Sequence, residues 1–199
     1  MNTPTKLTVS RIVLSVLIIC LMIFPYGEIG IDIPVLRAGI DISIVYIVCS
    51  ILFIIASFTD FLDGHLARKN NQVTDLGKML DSIADKILVN PVLIIFASEG
   101  IIHPIVPVVV IVRDIVVNAV KMELASHGKV VAAIYTGKIK AACLMIGIVL
   151  LYISDIPFIY VNVRLDLLLI YFATIMSLVS MFQYIAMAKK VLKEKTETI

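Results

Sequence analysis

Long apolar runs, separated by short polar segments, dominate the chain. Two of the runs extend over 18 and 22 residues without a charged side chain. A helix needs about 20 apolar residues to cross the hydrocarbon core of a bilayer. The pattern therefore predicts an all-α, polytopic membrane protein with six transmembrane helices, formed as one domain over residues 1–199. The predicted spans are 12–24, 42–59, 79–97, 101–124, 138–153 and 167–188.

Composition supports the same class of protein. Of the 199 residues, 60% are hydrophobic and 16% are charged, whereas a soluble domain has about 45–50% apolar residues. The formal net charge is +2, and the chain has no block of basic residues large enough to predict a nucleic-acid partner. We therefore expect a protein of the cell membrane and exclude a soluble or nucleic-acid-binding protein.

The distribution of Lys and Arg predicts the orientation of the spans. With the N-terminus in the cytoplasm, fourteen of the 17 basic residues lie on the cytoplasmic side. Arg37 and Arg164 lie on the other side, and Arg113 lies at membrane depth. Because cytoplasmic loops are enriched in Lys and Arg, both termini and the loops after spans two and four are predicted to face the cytoplasm.

Charged residues where lipid is expected are the most informative feature. The spacing i, i+3, i+4, i+7 and i+8 places one group on a single helix face: Asp60, Asp63, Gly64, Ala67 and Arg68. A second face, with spacing i, i+4 and i+8, carries Gly77, Asp81 and Asp85. The segment between them is short, so four carboxylates are expected to converge at the cytoplasmic end. Oxygen ligands of this kind favour Mg²⁺, Mn²⁺ or Ca²⁺ over zinc.

Other interpretations of these acids stay open. Asp and Arg at helix ends are often solvated caps or interfacial anchors, and exposed ion pairs contribute little to stability. Intramembrane acids also line the ion paths of cation transporters and channels. A transporter, however, does not require Arg68 and Gly77 at fixed offsets from the acids, nor a second basic cluster.

The spacing of the first two groups resembles the signature of the CDP-alcohol phosphotransferase family, D-x2-D-G-x2-A-R-x8-G-x3-D-x3-D. All eight fixed positions match, from Asp60 to Asp85, and the six-span layout is similar to that family over nearly the whole chain. Three further segments resemble its bacterial members that transfer a phosphatidyl group from CDP-diacylglycerol to sn-glycerol 3-phosphate and release CMP. These segments run from Pro4 to Arg11, from Leu80 to Lys86 and from Gly137 to Lys140.

The resemblance implies roles for the acidic motif. Asp60, Asp63 and Asp81 are expected to hold Mg²⁺ or Mn²⁺, with two ions per active site, and Asp85 to complete this shell or to act as the base. The resemblance favours Asp85 as the base that takes the proton from the attacking hydroxyl. The residues expected to bind CDP-diacylglycerol are Asp60, Gly64, Ala67, Arg68 and Gly77. Among these, Arg68 would hold the diphosphate, and Gly64 would leave room for the cytidine nucleotide.

The acceptor needs cations of its own because it brings a second phosphate. The cationic side chains available for it are Arg113, Lys121, Lys138 and Lys140. The alternative for Arg113 is a structural pair with Asp114, and the alternative for Lys138 and Lys140 is a plain interfacial anchor. Asp114 stands where the bacterial members usually have Glu, and Lys121 where Arg is expected, so the acceptor could also be phosphatidylglycerol, serine or inositol phosphate. The resemblance further implies a homodimer.

Overall fold

The computed structural model is an α-helical bundle with one short β-hairpin. It describes residues 3–37, 41–69, 75–126, 134–154 and 163–196, and the side chains of 7–35, 42–59, 79–126, 134–154 and 163–191. In chain order the elements are α1 (Thr3–Ile23), β1 (Val35–Arg37), β2 (Asp41–Ser43), α2 (Ile44–Lys69), α3 (Asp75–Ser98), α4 (Ile105–Ser126), α5 (Tyr135–Tyr152) and α6 (Leu165–Thr196). Among the described residues there are six helices, as predicted.

The helix boundaries and the hairpin differ from the prediction. Helix α2 continues ten residues past the predicted end at Thr59, to Lys69, because backbone hydrogen bonding continues where the apolar side chains stop. Helix α1 begins at Thr3, ahead of the predicted start at residue 12. The antiparallel hairpin, with Val35 opposite Ser43, was not predicted because three-residue strands carry too little alternation to be recognised.

Local signals explain where several helices end. Pro25 follows α1 by two residues, and the residue before a proline is disfavoured in the helical conformation. Helix α3 ends at Ser98, and Gly100 follows with a φ of +75°. This left-handed conformation favours glycine. It allows the Ile101 amide to donate a hydrogen bond to the Phe96 carbonyl at 3.0 Å, which closes the end of the helix.

The core lies where the six described helices pack together. Phe53, Phe96 and Tyr152 are fully buried there. The Tyr152 ring centre is 5.0 Å from that of Phe96 and 6.1 Å from that of Phe53, which are normal distances for packed aromatic rings. Phe96 and Tyr152 belong to the last turns of α3 and α5, so the core fixes one end of both helices. The charged residues of α3 and α5 lie toward the opposite end.

The outer surface of the bundle is strongly apolar. Large apolar side chains at least 60% exposed include Val13, Phe58, Ile115, Ile175 and Phe182. Soluble monomers rarely expose apolar surface on this scale. Within the described residues, two helical segments are long and apolar enough to cross a membrane, Tyr135–Tyr152 and Leu165–Val191, and Leu7–Ile23 and Ile44–Thr59 are shorter apolar segments. The number of spans and the orientation of the termini therefore stay predictions.

Candidate active site

The eight fixed positions of the motif lie on two consecutive helices. Asp60, Asp63, Gly64, Ala67 and Arg68 belong to the last turns of α2, and Gly77 belongs to the first turn of α3. Their helical backbone agrees with the spacing argument, whereas their side chains lie outside those that the structure describes. The last two acids of the motif, Asp81 and Asp85, follow in the next turns of α3, and their side chains are described.

Asp81 and Asp85 are both exposed and lie one helical turn apart. An oxygen of Asp81, Oδ1, accepts a hydrogen bond from the Arg11 guanidinium at 3.1 Å. Arg11 comes from α1 and is fully buried, whereas the Asp81 side chain is 54% exposed. One flank of the carboxylate is thus held by protein and the other is accessible to a ligand.

A second charged group joins α4 to α5. Oδ1 of Asp114 accepts hydrogen bonds from Arg113 at 2.8 Å and from the Lys140 ammonium at 3.0 Å. The side chains of Arg113, Asp114 and Lys140 are only 12%, 17% and 7% exposed. The Arg113 Nε also donates to the Ser180 hydroxyl at 3.0 Å. Two cations therefore share one carboxylate, which leaves the group with a net charge of +1.

Gly137 permits the close approach of Arg113 to α5. A Cβ atom at this position would lie 3.2 Å from a terminal guanidinium nitrogen of Arg113, which is tighter than an ordinary contact. Glycine thus leaves room for the guanidinium beside the first turn of α5, close in sequence to Lys138 and Lys140.

A cleft of about 300 Å³, including its open mouth, connects Asp85 with the basic group. Its polar lining consists of Asp85, Lys86, Asn90, Asp114 and Lys140. Its apolar lining consists of Val89, Ala141, Leu144 and Met145. The cleft thus brings the residue expected to act as the base to the same space as one of the cations expected to bind the acceptor phosphate.

The other predicted acceptor cations lie outside the lining of this cleft. The Lys121 ammonium lies 5.2 Å from the centre of the Tyr184 ring, which is a cation–π contact. Lys138 is exposed in the first turn of α5. Arg113 reaches the cleft indirectly, through its hydrogen bond to Asp114.

Sequence reasoning missed two residues of this site. Arg11 entered only as part of a similar segment, without a role, and Asp114 only as a possible partner of Arg113. A signal for Arg11 was present, because Thr8, Arg11, Ser15 and Ile18 follow the i, i+3, i+7, i+10 spacing of one helix face. All four are buried.

The described acids fit a hard divalent cation by the chemistry of their donor atoms. Asp81 and Asp85 offer carboxylate oxygens on an accessible surface, as Mg²⁺ and Mn²⁺ prefer. Among the described residues, no three His, Cys, Asp or Glu side chains lie close enough together to hold a metal ion. The side chains of Asp60 and Asp63, which complete the predicted set, are outside that search.

These features together define a class: a helical membrane protein with an acidic motif on two consecutive helices and a basic group beside it. The chain belongs to the CDP-alcohol phosphatidyltransferase family, whose sequence model matches residues 1–192. Membership in this family of enzymes agrees with the apolar outer surface of the bundle.

Several curated proteins are similar to the chain. A Bacillus subtilis (strain 168) protein is 36% identical over 193 residues, which cover 96% of this chain and 97% of that protein. A Yersinia enterocolitica protein is 32% identical over 200 residues, covering 98% of each chain. A Mycoplasma genitalium protein is 40% identical over 111 residues, covering 56% of this chain and 47% of that protein. All three are named CDP-diacylglycerol–glycerol-3-phosphate 3-phosphatidyltransferase.

Proposed function

We propose that this protein transfers a phosphatidyl group from CDP-diacylglycerol to sn-glycerol 3-phosphate, giving phosphatidylglycerophosphate and CMP. The observation that carries the proposal is the near full-length similarity to proteins named for this reaction. The cleft supports it, because a carboxylate able to accept a proton and a cation able to bind phosphate line the same space.

In the reaction, a hydroxyl oxygen of the acceptor forms a bond to the phosphorus that carries diacylglycerol. The bond from that phosphorus to the bridging oxygen of the diphosphate breaks, and CMP leaves with the bonding electrons. The hydroxyl proton passes to a base. Asp85 is our choice for this base because it lines the cleft together with Lys140.

The donor is expected to bind along the acidic motif of α2 and α3. Arg68 would form charged hydrogen bonds to the diphosphate. Asp60, Gly64, Ala67 and Gly77 would line the position of the nucleotide. Glycine at positions 64 and 77 would leave space for the nucleotide beside the acids.

Asp60, Asp63, Asp81 and Asp85 would hold Mg²⁺ or Mn²⁺, with two ions per site. When bound, these ions neutralise the diphosphate oxygens and stabilise the leaving group. The support for this part is the donor chemistry of the acids, since a cluster of carboxylates is unstable without cations.

Arg113, Lys121, Lys138 and Lys140 would bind the phosphate of the acceptor. Lys140 has the most direct support because it lines the cleft with Asp85. The Lys140 ammonium can form a charged hydrogen bond with the phosphate of an anionic acceptor. An uncharged alcohol would gain nothing from this interaction.

We further propose a multi-pass protein of the cell membrane, with six spans, both termini in the cytoplasm and the active site at the cytoplasmic face. The support is the excess of Lys and Arg in the loops on that side. A homodimer is expected from the family resemblance alone.

Acceptor-dependent release of CMP tests the proposed function. The purified protein is incubated in detergent with CDP-diacylglycerol and Mg²⁺ or Mn²⁺, and with each of glycerol 3-phosphate, serine, inositol phosphate and phosphatidylglycerol. We expect rapid release of CMP with glycerol 3-phosphate only. Equal or faster release with an acceptor from the rest of this set would reject the assignment of the acceptor. Absence of CMP release with all of them would reject the transferase.

A further inference from the structure

Arg11 is the largest fully buried charged side chain in the described part of the chain. An arginine is rarely buried without a partner, because removing its charge from water is costly. Its position is set by α1, where the buried face is polar at Thr8, Arg11 and Ser15 and becomes apolar at Ile18. This face packs against α3, the helix that carries Asp81.

The contact between Arg11 and Asp81 is asymmetric. The arginine is 0% exposed, whereas the aspartate is 54% exposed, and 3.1 Å separates the bonded atoms. A side chain without exposed surface has no face for a substrate, so Arg11 is poorly placed to contact the donor or the acceptor itself. The described contact through which Arg11 can act on the reaction is its hydrogen bond to the Asp81 carboxylate.

We propose that Arg11 is a positioning residue for Asp81. Its guanidinium fixes one oxygen of the carboxylate from the buried side, so that the exposed side is presented to ligands in one orientation. Because Asp81 is one of the acids expected to hold a divalent cation, this inference rests on the proposed function and deepens it. Hydrogen-bonding partners of ligating carboxylates typically change metal affinity by about 10-fold to 100-fold when they are removed.

Electrostatic repulsion alone predicts the opposite change in metal affinity. A guanidinium beside a cation site repels the metal ion, so removal of its charge would tighten metal binding. Positioning predicts weaker binding, because the released carboxylate samples several rotamers. The direction of the change therefore separates the two effects.

The test measures Mn²⁺ binding to purified protein in detergent, without substrates, by the loss of the electron paramagnetic resonance signal of free Mn²⁺. The variants are Arg11→Met, which removes the charge, and Arg11→Lys, which keeps the charge and loses the planar fork. The matched control is Arg164→Met, which removes an arginine from a 2.8 Å pair with Asp166 at the start of α6.

We expect Arg11→Met to weaken Mn²⁺ binding at least 10-fold, Arg11→Lys to weaken it less, and the control to leave it unchanged. The Mg²⁺ concentration for half-maximal turnover should rise by a similar factor. In an Asp81→Asn background, Arg11→Met should cause no further loss, since the effect passes through Asp81.

Unchanged or tighter Mn²⁺ binding by folded Arg11→Met would overturn the positioning role. So would the failure of both Arg11 variants to fold, because Arg11 would then be a structural residue of the α1–α3 contact. If the wild-type protein binds no Mn²⁺, the metal part of the proposed function fails first, and the role of Arg11 fails with it. If the wild type binds Mn²⁺ and Asp81→Asn abolishes this binding, but Arg11→Met leaves it unaltered, the positioning role of Arg11 is rejected. The proposed metal site is then retained.

Discussion

Replacement of Asp114 by Asn should destabilise the contact between α4 and α5. The carboxylate accepts hydrogen bonds from Arg113 at 2.8 Å and Lys140 at 3.0 Å. Each hydrogen bond to a charged group contributes about 1.5–3 kcal/mol, and loss of one partner from a buried ion pair costs about 3–5 kcal/mol. Because Asn keeps an acceptor oxygen and the group is partly exposed, we expect a loss of about 3 kcal/mol.

Thermal unfolding of the purified protein in detergent measures this loss. For a chain of 150–250 residues, each kcal/mol shifts the Tm by about 2–4 °C, so Asp114→Asn should lower the Tm by about 6–12 °C. Asp32→Asn is the control, since it makes the same substitution at an exposed aspartate ahead of β1. It should change stability by less than about 0.5 kcal/mol.

A double-mutant cycle with Lys140→Met shows whether the loss comes from the shared charge. In the wild type, Lys140→Met should be destabilising. In the Asp114→Asn background it should be neutral or stabilising, because it removes a buried cation that has lost its counter-charge. An equal cost of Lys140→Met in both backgrounds, or a fall in Tm of less than about 2 °C for Asp114→Asn, would refute the reasoning.

Three further outcomes follow from single positions. Gly147→Ala would place a Cβ atom 2.9 Å from the buried Ile170 side chain. It should lower the free energy of unfolding by about 1–3 kcal/mol. The control Gly27→Ala, whose added Cβ would meet nothing within 4 Å, should leave the Tm nearly unchanged. Lys138→Ala should raise the KM for glycerol 3-phosphate roughly 10-fold to 150-fold with unchanged binding of CDP-diacylglycerol; a loss of donor binding would contradict its role. Asp85→Asn should lose turnover at saturating Mg²⁺ while it retains CDP-diacylglycerol, and a variant whose turnover is restored by more Mg²⁺ would reject Asp85 as the base.

Most of the helical architecture could be predicted from the sequence because burial in lipid leaves a strong one-dimensional signal. Each apolar run contains a helix, and the spacing of the acids placed Asp81 and Asp85 on one face of α3. The hairpin of β1 and β2 was beyond this reasoning, since its strands are too short for a pattern. The boundary of α2 was also missed, because the apolar run stops at Thr59 although the helix does not.

The supporting contacts of the site depend on tertiary structure. Arg11 and Asp81 are 70 positions apart, and Lys140 and Asp114 are 26 apart, so no local periodicity links them. A buried polar face on α1 hints that Arg11 has a partner but does not say which one. Sequence spacing identifies groups on one helix, whereas the pairing of groups on different helices requires the packing of the bundle.

The most direct test of the proposed reaction follows the acceptor into the lipid product. The purified protein receives CDP-diacylglycerol, Mg²⁺ and glycerol 3-phosphate labelled with ³³P, and the chloroform-soluble lipid is analysed for label and by mass spectrometry. We predict a labelled lipid with the mass of phosphatidylglycerophosphate, formed in equal amount to the CMP released. Release of CMP without label in the lipid, or no release of CMP at all, would contradict the proposed transfer.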